Sequence, residues 1–215
     1  MLFDLDGTLL DTVADITLAL NSALADARLA GLAEEEVRTM IGRGVPMLIE
    51  RAVARLGAPG TGLLLERFHF HYERIHTHGE MRTRAYPGAA EGLAALSAMG
   101  VKLAVVTNKP EAATTALLRR LSLDQWIGVV IGGDGVRHRK PHPETLLAAC
   151  SRLAVATAES LMVGDSLTDV QAARAAGLRV VCVPYGYNEG ADPRTLPCDA
   201  FVRSIADLPA LLRAI

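Results

Sequence analysis

From Val101 onward, short β-rich runs alternate with helical stretches, and few architectures accept that pattern. VKLAVVT, PEAATTALLRRL, IGVVIGG, HPETLLAACSRLA, SLMVGD, LTDVQAARAAG, RVVCVP, DAFVRS and IADLPALLRAI follow one another. Such alternation implies parallel strands joined by crossover helices. The runs VVT, VVIGG, LMVGD and VVCVP are apolar without interruption, which suits strands covered on both faces rather than strands with one wet side. The predicted fold is therefore α/β, a doubly wound parallel sheet with a Rossmann-like core. With 215 residues, the chain is long enough to bury one full core and carry an insertion.

Residues 13–79 break the alternation. Ile16, Ala19, Leu20, Ala23, Leu24 and Ala27 recur at helical spacing, marking one apolar stripe. AEEEVRTMIG and VPMLIERAVARLG read as further helices parted by the turn Gly42-Arg43-Gly44, and LLLERFHFHYERIH as another. No strand is predicted here. A helical insertion after the first strand, closed by the AYPG turn at Ala85 to Gly88, predicts a helical cap (13–79) on a core built from residues 1–12 and 80–215. The histidines of HFHYERIHTHG do not make a metal site in this reading. His69 and His71 lie two apart on a helix and face different ways, and no acidic residue completes an HExxH-like set.

Composition removes several classes of function. A net charge of −2 without any basic run argues against nucleic acid as a partner, because neutralising phosphates needs a basic surface. No uncharged apolar stretch is long enough to span a bilayer, and Asp4 interrupts the apolar start, so no membrane partner and a cytoplasmic location are expected. Cys150, Cys182 and Cys198 are odd in number and lack CxxC spacing, which predicts buried free thiols.

In open α/β sheets ligands gather at the carboxyl ends of the strands, and there this sequence turns polar. The chain opens MLFDLDGTLLDT, with Asp4 and Asp6 two apart on an extended segment. Their carboxylates point the same way, which is costly unless a cation or a reaction uses the charge. Thr107-Asn108-Lys109 ends the next core strand, Asp165-Ser166 ends another with Asp169 four residues on, and Lys140-Pro141 precedes a helix. Singly, GDS or TN after a strand is an ordinary helix cap; together they place carboxylates, a hydroxyl, an amide and a lysine at one edge. Of the 22 basic residues only Lys102, Lys109 and Lys140 are lysines, and two of these lie at that edge, where a compact ammonium serves better than a planar guanidinium. Asp11 and Thr12 are expected to cap the first helix of the insertion. Only Met1, Leu2 and Phe3 precede Asp4, so the first strand is expected to be incomplete at its start, since strand ends fray.

The motifs DLDGTLLDT, VVTNK, RKP and GDSLTD, in this order and with a helical insertion after the first, resemble the haloacid dehalogenase-like phosphatase superfamily over nearly the whole chain. The resemblance implies that Asp4 is a nucleophile, Asp6 an acid/base, Thr107 a phosphate ligand, Lys140 a charge neutraliser and Asn108 a further phosphate contact. It also implies Mg²⁺ held by Asp4, the backbone carbonyl of Asp6 and Asp165, with Asp169 just behind them. A dehalogenase is disfavoured, because such relatives lack the second aspartate. Within the superfamily IGRGVPMLIERAV, VVTNKPE, VIGGDGV, RKPHPE, GDSLTDVQAARAAG and VPYGYNEG are similar to bacterial phosphoglycolate phosphatases. The implied substrate is 2-phosphoglycolate, with another small phosphate ester or a phosphomutase reaction as the alternatives. For the substrate's carboxylate the candidate is Arg43, whose guanidinium can grip it bidentately from a turn made close-fitting by Gly42 and Gly44. Lys109 is the rival anchor.

Overall fold

In the computed structural model, which describes residues 1–58, 62–78 and 81–214, the strand before Asp4 is two residues long yet central. Leu2–Phe3 (β1) pairs in parallel with Ala104–Val106 (β4) on one side and with Leu161–Gly164 (β6) on the other. Val129–Ile131 (β5) extends the sheet beyond β4, while Arg179–Cys182 (β7) and Ala200–Phe201 (β8) extend it beyond β6. The order β5-β4-β1-β6-β7-β8 steps away from β1 in both directions, so the chain reverses its winding at β1 and leaves a crevice at the carboxyl end of that strand. This is the doubly wound parallel sheet that the apolar runs predict.

Pleating sends successive side chains to opposite faces. Leu2 packs with Ala104, Val106 and Met162 against Glu144–Leu153 (α7) and Leu167–Ala176 (α8). Phe3 packs with Val105 and Val163 against Ala89–Ala98 (α5), Glu111–Arg120 (α6) and Leu208–Ala214 (α9).

The helical insertion has an apolar core of its own. Val13–Asp26 (α1), Glu34–Arg38 (α2), Val45–Leu56 (α3) and Leu64–Thr77 (α4) close around Leu20, Leu24, Val37, Ile49, Phe68 and Ile75. Helix α2 is shorter than AEEEVRTMIG suggests. Met40 and Ile41 turn into the cap core, and Gly42, at φ 135°, stands in a conformation no helix uses. The expected return from cap to core at 79/80 lies outside the described residues.

Three features of the cap junction escape the sequence pattern. Leu10–Asp11 (β2) pairs antiparallel with Arg84–Ala85 (β3), so the two chain crossings between core and cap form a small ribbon. Asp15, completely buried, accepts hydrogen bonds from Arg82 N (2.8 Å), Thr83 N (2.9 Å) and Thr83 Oγ1 (2.5 Å), tying α1 to the returning strand. The start of α1 has no side-chain cap of its own, contrary to the expectation for Asp11 and Thr12. Instead the Tyr187 hydroxyl accepts from Thr12 N (2.8 Å) and Val13 N (3.1 Å) and donates to Asp11 Oδ1 (2.9 Å). The reason is competition: the Thr12 hydroxyl is drawn away to Asp6 Oδ1 at 2.7 Å.

Cys150 and Cys182 are buried free thiols, whereas Cys198 is only half-buried. Among the described residues no helix is long and apolar enough to cross a membrane. Asp15→Ala leaves three donors at the junction without their acceptor, and we expect it to destabilise the fold by about 2–3 kcal/mol, measured by urea denaturation.

Candidate active site

The site is assembled at the winding reversal. Asp4 N donates to Val163 O (2.9 Å), so the ladder of the central strand fixes the backbone up to the first carboxylate. The chain then folds back tightly, with Leu9 N and Leu10 N both donating to Leu5 O (3.0 and 2.9 Å). Gly7 makes the turn possible: its φ is 90°, and a Cβ there would stand 2.5 Å from Asp165 Oδ2. Thr107 follows β4, Asp165 follows β6, Asp169 lies in the first turn of α8, and Lys140 comes from the loop before α7.

Carboxylate oxygens of Asp4, Asp165 and Asp169 lie within 4.8 Å of one another. Between two of them stands the Lys140 ammonium, 2.8 Å from Asp4 Oδ1 and 2.7 Å from Asp169 Oδ1, its side chain 2% exposed. Asp169 also accepts from Ser166 Oγ (2.7 Å) and Ser166 N (3.2 Å). The GDS segment is thus a helix start and part of the charge cluster at once. Asp165 accepts from Thr8 Oγ1 (2.8 Å) and Tyr187 N (2.7 Å).

Three buried carboxylates lie around one ammonium, which pairs with two of them, and the protonation of Asp4 and Asp165 shows the imbalance. Burial, then the charge of Asp169, pushes Asp165 up to about 7. Burial and Asp169 also raise Asp4 well above the usual carboxylate range, against the pull of Lys140. For Lys140 burial works downward, but Asp169 and Asp4 outweigh it and hold the ammonium charged. A cluster of oxygen donors short of positive charge has the chemistry of a Mg²⁺ site, so the residues present fit that ion.

Asp6 lies beside this cluster, accepting from Thr12 Oγ1 (2.7 Å) and from Lys109 Nζ (3.0 Å to Oδ1, 3.3 Å to Oδ2). Asp4, Asp6, Thr107, Asn108 and Lys109 floor a cavity whose cap side includes Ile16, Ile41, Leu48, Phe68 and Tyr72. The Asn108 amide donates to Gly42 O (2.9 Å) and Lys140 O (3.0 Å). In this arrangement its N–H groups brace the cap turn and the Lys140 loop instead of facing a phosphate.

Arg43 is not among the cavity-lining residues. Its Nε donates to Glu189 Oε1 at 2.7 Å, and Arg51 Nη2 holds Glu189 Oε2 at 2.6 Å. Sequence reasoning missed this acceptor, together with Thr8, Tyr187 and the Thr12–Asp6 bond. Glu189 and Tyr187 lie in VPYGYNEG, far along the chain from what they touch, so only the folded structure reveals the pairing. His138, His142 and Glu144 form a separate exposed group at the start of α7, where His138 Nδ1 is 2.9 Å from Glu144 Oε2.

A family model described as haloacid dehalogenase-like hydrolase matches residues 1–183. The chain belongs to that family. Its similarity to curated phosphoglycolate phosphatases runs almost end to end. It is 44% identical to the one from Nitrosospira multiformis, covering 99% of this chain and 95% of the relative. It is also 44% identical to the plasmid-encoded one from Cupriavidus necator, covering 99% and 92%. The crystal structure of a predicted phosphoglycolate phosphatase from Haemophilus somnus 129pt superposes with a TM-score of 0.92 at 33% identity, over 98% of this chain and 96% of that one. This haloacid dehalogenase-like hydrolase is accordingly an enzyme.

Two outcomes follow from the charge cluster. Lys140→Arg keeps the charge, but a wide, planar guanidinium cannot take up the single buried point that meets Asp4 and Asp169 together; turnover should fall at least about a hundredfold in a protein whose circular dichroism is unchanged. In excess chelator, stability should fall as pH rises from about 4 towards 7. Unfolded Asp165 releases its proton near 4, whereas folded Asp165 keeps it to about 7, so the folded state binds more protons in that window. Added Mg²⁺ should flatten the slope, read as melting temperature against pH.

Proposed function

We propose that this phosphatase is a Mg²⁺-dependent phosphomonoester hydrolase that works through an aspartyl phosphate on Asp4, with 2-phosphoglycolate as its substrate. The observation that carries the reading is the Asp4 carboxylate, at the end of the central strand, held 2.8 Å from the Lys140 ammonium and opening onto a cap-covered cavity. Phosphoryl transfer asks mainly for positioning and for neutralised charge around an in-line displacement. Asp4 supplies the attacking oxygen, and the ladder bond at its own N–H keeps that oxygen in place.

Lys140 offsets the charge on Asp4 and on the phosphoryl group, and Asp169 fixes the ammonium where both need it. Thr107 lines the cavity floor, its hydroxyl accepting from Lys109 N (3.2 Å), and in this reading donates to a phosphoryl oxygen. Asp6 protonates the departing alkoxide and later takes a proton from the water that opens the aspartyl phosphate. Thr12 and Lys109 orient it from the cap hinge and the cavity floor. Asp4, the Asp6 carbonyl and Asp165 would hold Mg²⁺, which supplies further positive charge against the phosphoryl oxygens. The apolar cap side, with Ile41, Leu48 and Phe68, keeps bulk water off the aspartyl phosphate.

The substrate is proposed from the relatives: the curated proteins at 44% identity over 99% of this chain are phosphoglycolate phosphatases. The test is phosphate release from a panel of small phosphomonoesters with and without Mg²⁺. We expect 2-phosphoglycolate to lead the panel, chelator to silence release, and substrate labelled on phosphorus to mark Asp4. Asp4→Asn should fold normally and lose both label and turnover. Persistent activity in excess chelator, or normal turnover by Asp4→Asn, would overturn the mechanism.

A further inference from the structure

Accepting 2-phosphoglycolate as substrate leaves one end of it unassigned. Its carboxylate cannot share the phosphoryl floor, because Asp4, Asp165 and Asp169 already crowd that floor with negative charge. It needs a cation elsewhere in the cavity. Among the described residues, Lys109 is the one lysine or arginine lining that cavity. Lys140 lies beneath, engaged by Asp4 and Asp169. Arg43, flanked by two cavity-lining glycines, is turned away onto Glu189.

The position of Lys109 suits the substrate's geometry. Its Nζ lies 3.0 Å from Asp6 Oδ1, and Asp6 is the group that must reach the ester oxygen of the leaving alkoxide. In 2-phosphoglycolate the carboxylate is a single methylene away from that oxygen, so a cation beside Asp6 is beside the carboxylate too.

A second group stands at the same wall. The Tyr72 ring centre is 5.1 Å from Lys109 Nζ. Tyr72 lines the cavity from the cap, and its buried hydroxyl has no hydrogen bond of ordinary length among the described residues; Lys109, the polar group that acts on it, can only donate, so the phenolic proton lacks an acceptor. A buried hydroxyl without a partner is costly, and such exceptions ask for an explanation. A ligand acceptor supplies one.

We propose that Lys109 and Tyr72 form the carboxylate subsite, with the ammonium pairing the charge and the phenolic O–H donating one hydrogen bond. The rest of the cap wall is largely apolar, with Ile16, Ile41, Leu48 and Phe68, and strengthens the pairing by excluding water; His69 also lines it and brings an imidazole N–H. The subsite selects small phosphate esters whose carboxylate is one carbon from the ester oxygen. Because Tyr72 comes from the cap and Lys109 from the core, the carboxylate also bridges the two.

The test compares kcat/KM for 2-phosphoglycolate with that for ethyl phosphate, which has the same length and no carboxylate. Taking the ratio removes losses common to both esters, including those from unpairing Asp6 in Lys109→Met. We expect the parent enzyme to favour 2-phosphoglycolate strongly. Lys109→Met should cut the ratio by about ten- to a hundredfold and Tyr72→Phe by about fivefold or more, each chiefly through KM. Tyr72→Phe changes neither charge nor packing volume and decides the matter alone if Lys109→Met does not fold. Variants that keep the parent's ratio would overturn the subsite and leave the substrate assignment standing. A parent enzyme that treats both esters alike would overturn the substrate assignment, and the subsite with it.

Discussion

The Lys140 ammonium, wedged between Asp4 and Asp169, is the contact on which the rest of the site depends. A charge buried this deeply is tenable only while both partners stay in place, and each partner is fixed by a different part of the fold. Asp4 is held by the ladder bond from its N–H to Val163 O, at the end of the central strand. Asp169 is held by Ser166 at the start of α8. The Lys140 backbone is braced by the Asn108 amide, which also reaches the cap turn at Gly42. Sheet, helix start and cap contact are therefore parts of one electrostatic arrangement. Burial first, and then the excess of carboxylates over cations, makes Asp165 and Asp4 hold protons more tightly than free carboxylates.

The loop after β7 connects this cluster to the cap. Tyr187 N donates to Asp165 while its hydroxyl caps the start of α1, and Glu189 holds Arg43 and Arg51 of the cap. The price is backbone strain, since Asn188 and Glu189 take φ of 39° and 50° in succession. Left-handed backbone at residues other than glycine costs of order 1–3 kcal/mol each. Compensation is local: the Asn188 side chain accepts from Leu167 N (3.1 Å) and donates to Ala191 O (3.1 Å). A displacement of the cap would pull on the same three-residue segment that steadies Asp165.

How much of this the sequence revealed depended on how far apart the interacting residues lie along the chain. The uninterrupted apolar runs report burial on both faces, so the parallel sheet was legible, as was the α1 stripe from Ile16 to Leu24. Asp4 and Asp165 were legible because each follows an apolar run, and Asp6 and Asp169 because they lie two and four residues beyond them. The β2–β3 ribbon was not, since two residues per strand leave no periodicity to read. Nor was the cap of α1: Thr12 has the right chemistry, but Asp6 competes for its hydroxyl and Tyr187 supplies the acceptor instead. Arg43 shows the same limit. Its chemistry and its flanking glycines pointed into the cavity, while its actual partner, Glu189, is a residue that no local pattern relates to it.

The use of lysine against arginine follows from the same geometry. Lys140 and Lys109 are both nearly buried, at 3% and 8% exposure, and each meets carboxylate oxygens at a point. A compact ammonium can approach two acids from one position, whereas a guanidinium would bury five N–H donors in fixed directions and leave some unmatched. At the cap junction the requirement is opposite. Glu189 is half-buried and offers both oxygens outward, and two arginines take one each, a reach that long, planar side chains accomplish without desolvating their whole charge. The remaining lysine, Lys102, donates to Leu153 O (2.8 Å) at the end of α7, where a positive charge meets the negative end of the helix dipole. At the Glu189 junction arginine thus spans core and cap, while at the site Lys140 and Lys109 deliver charge inside.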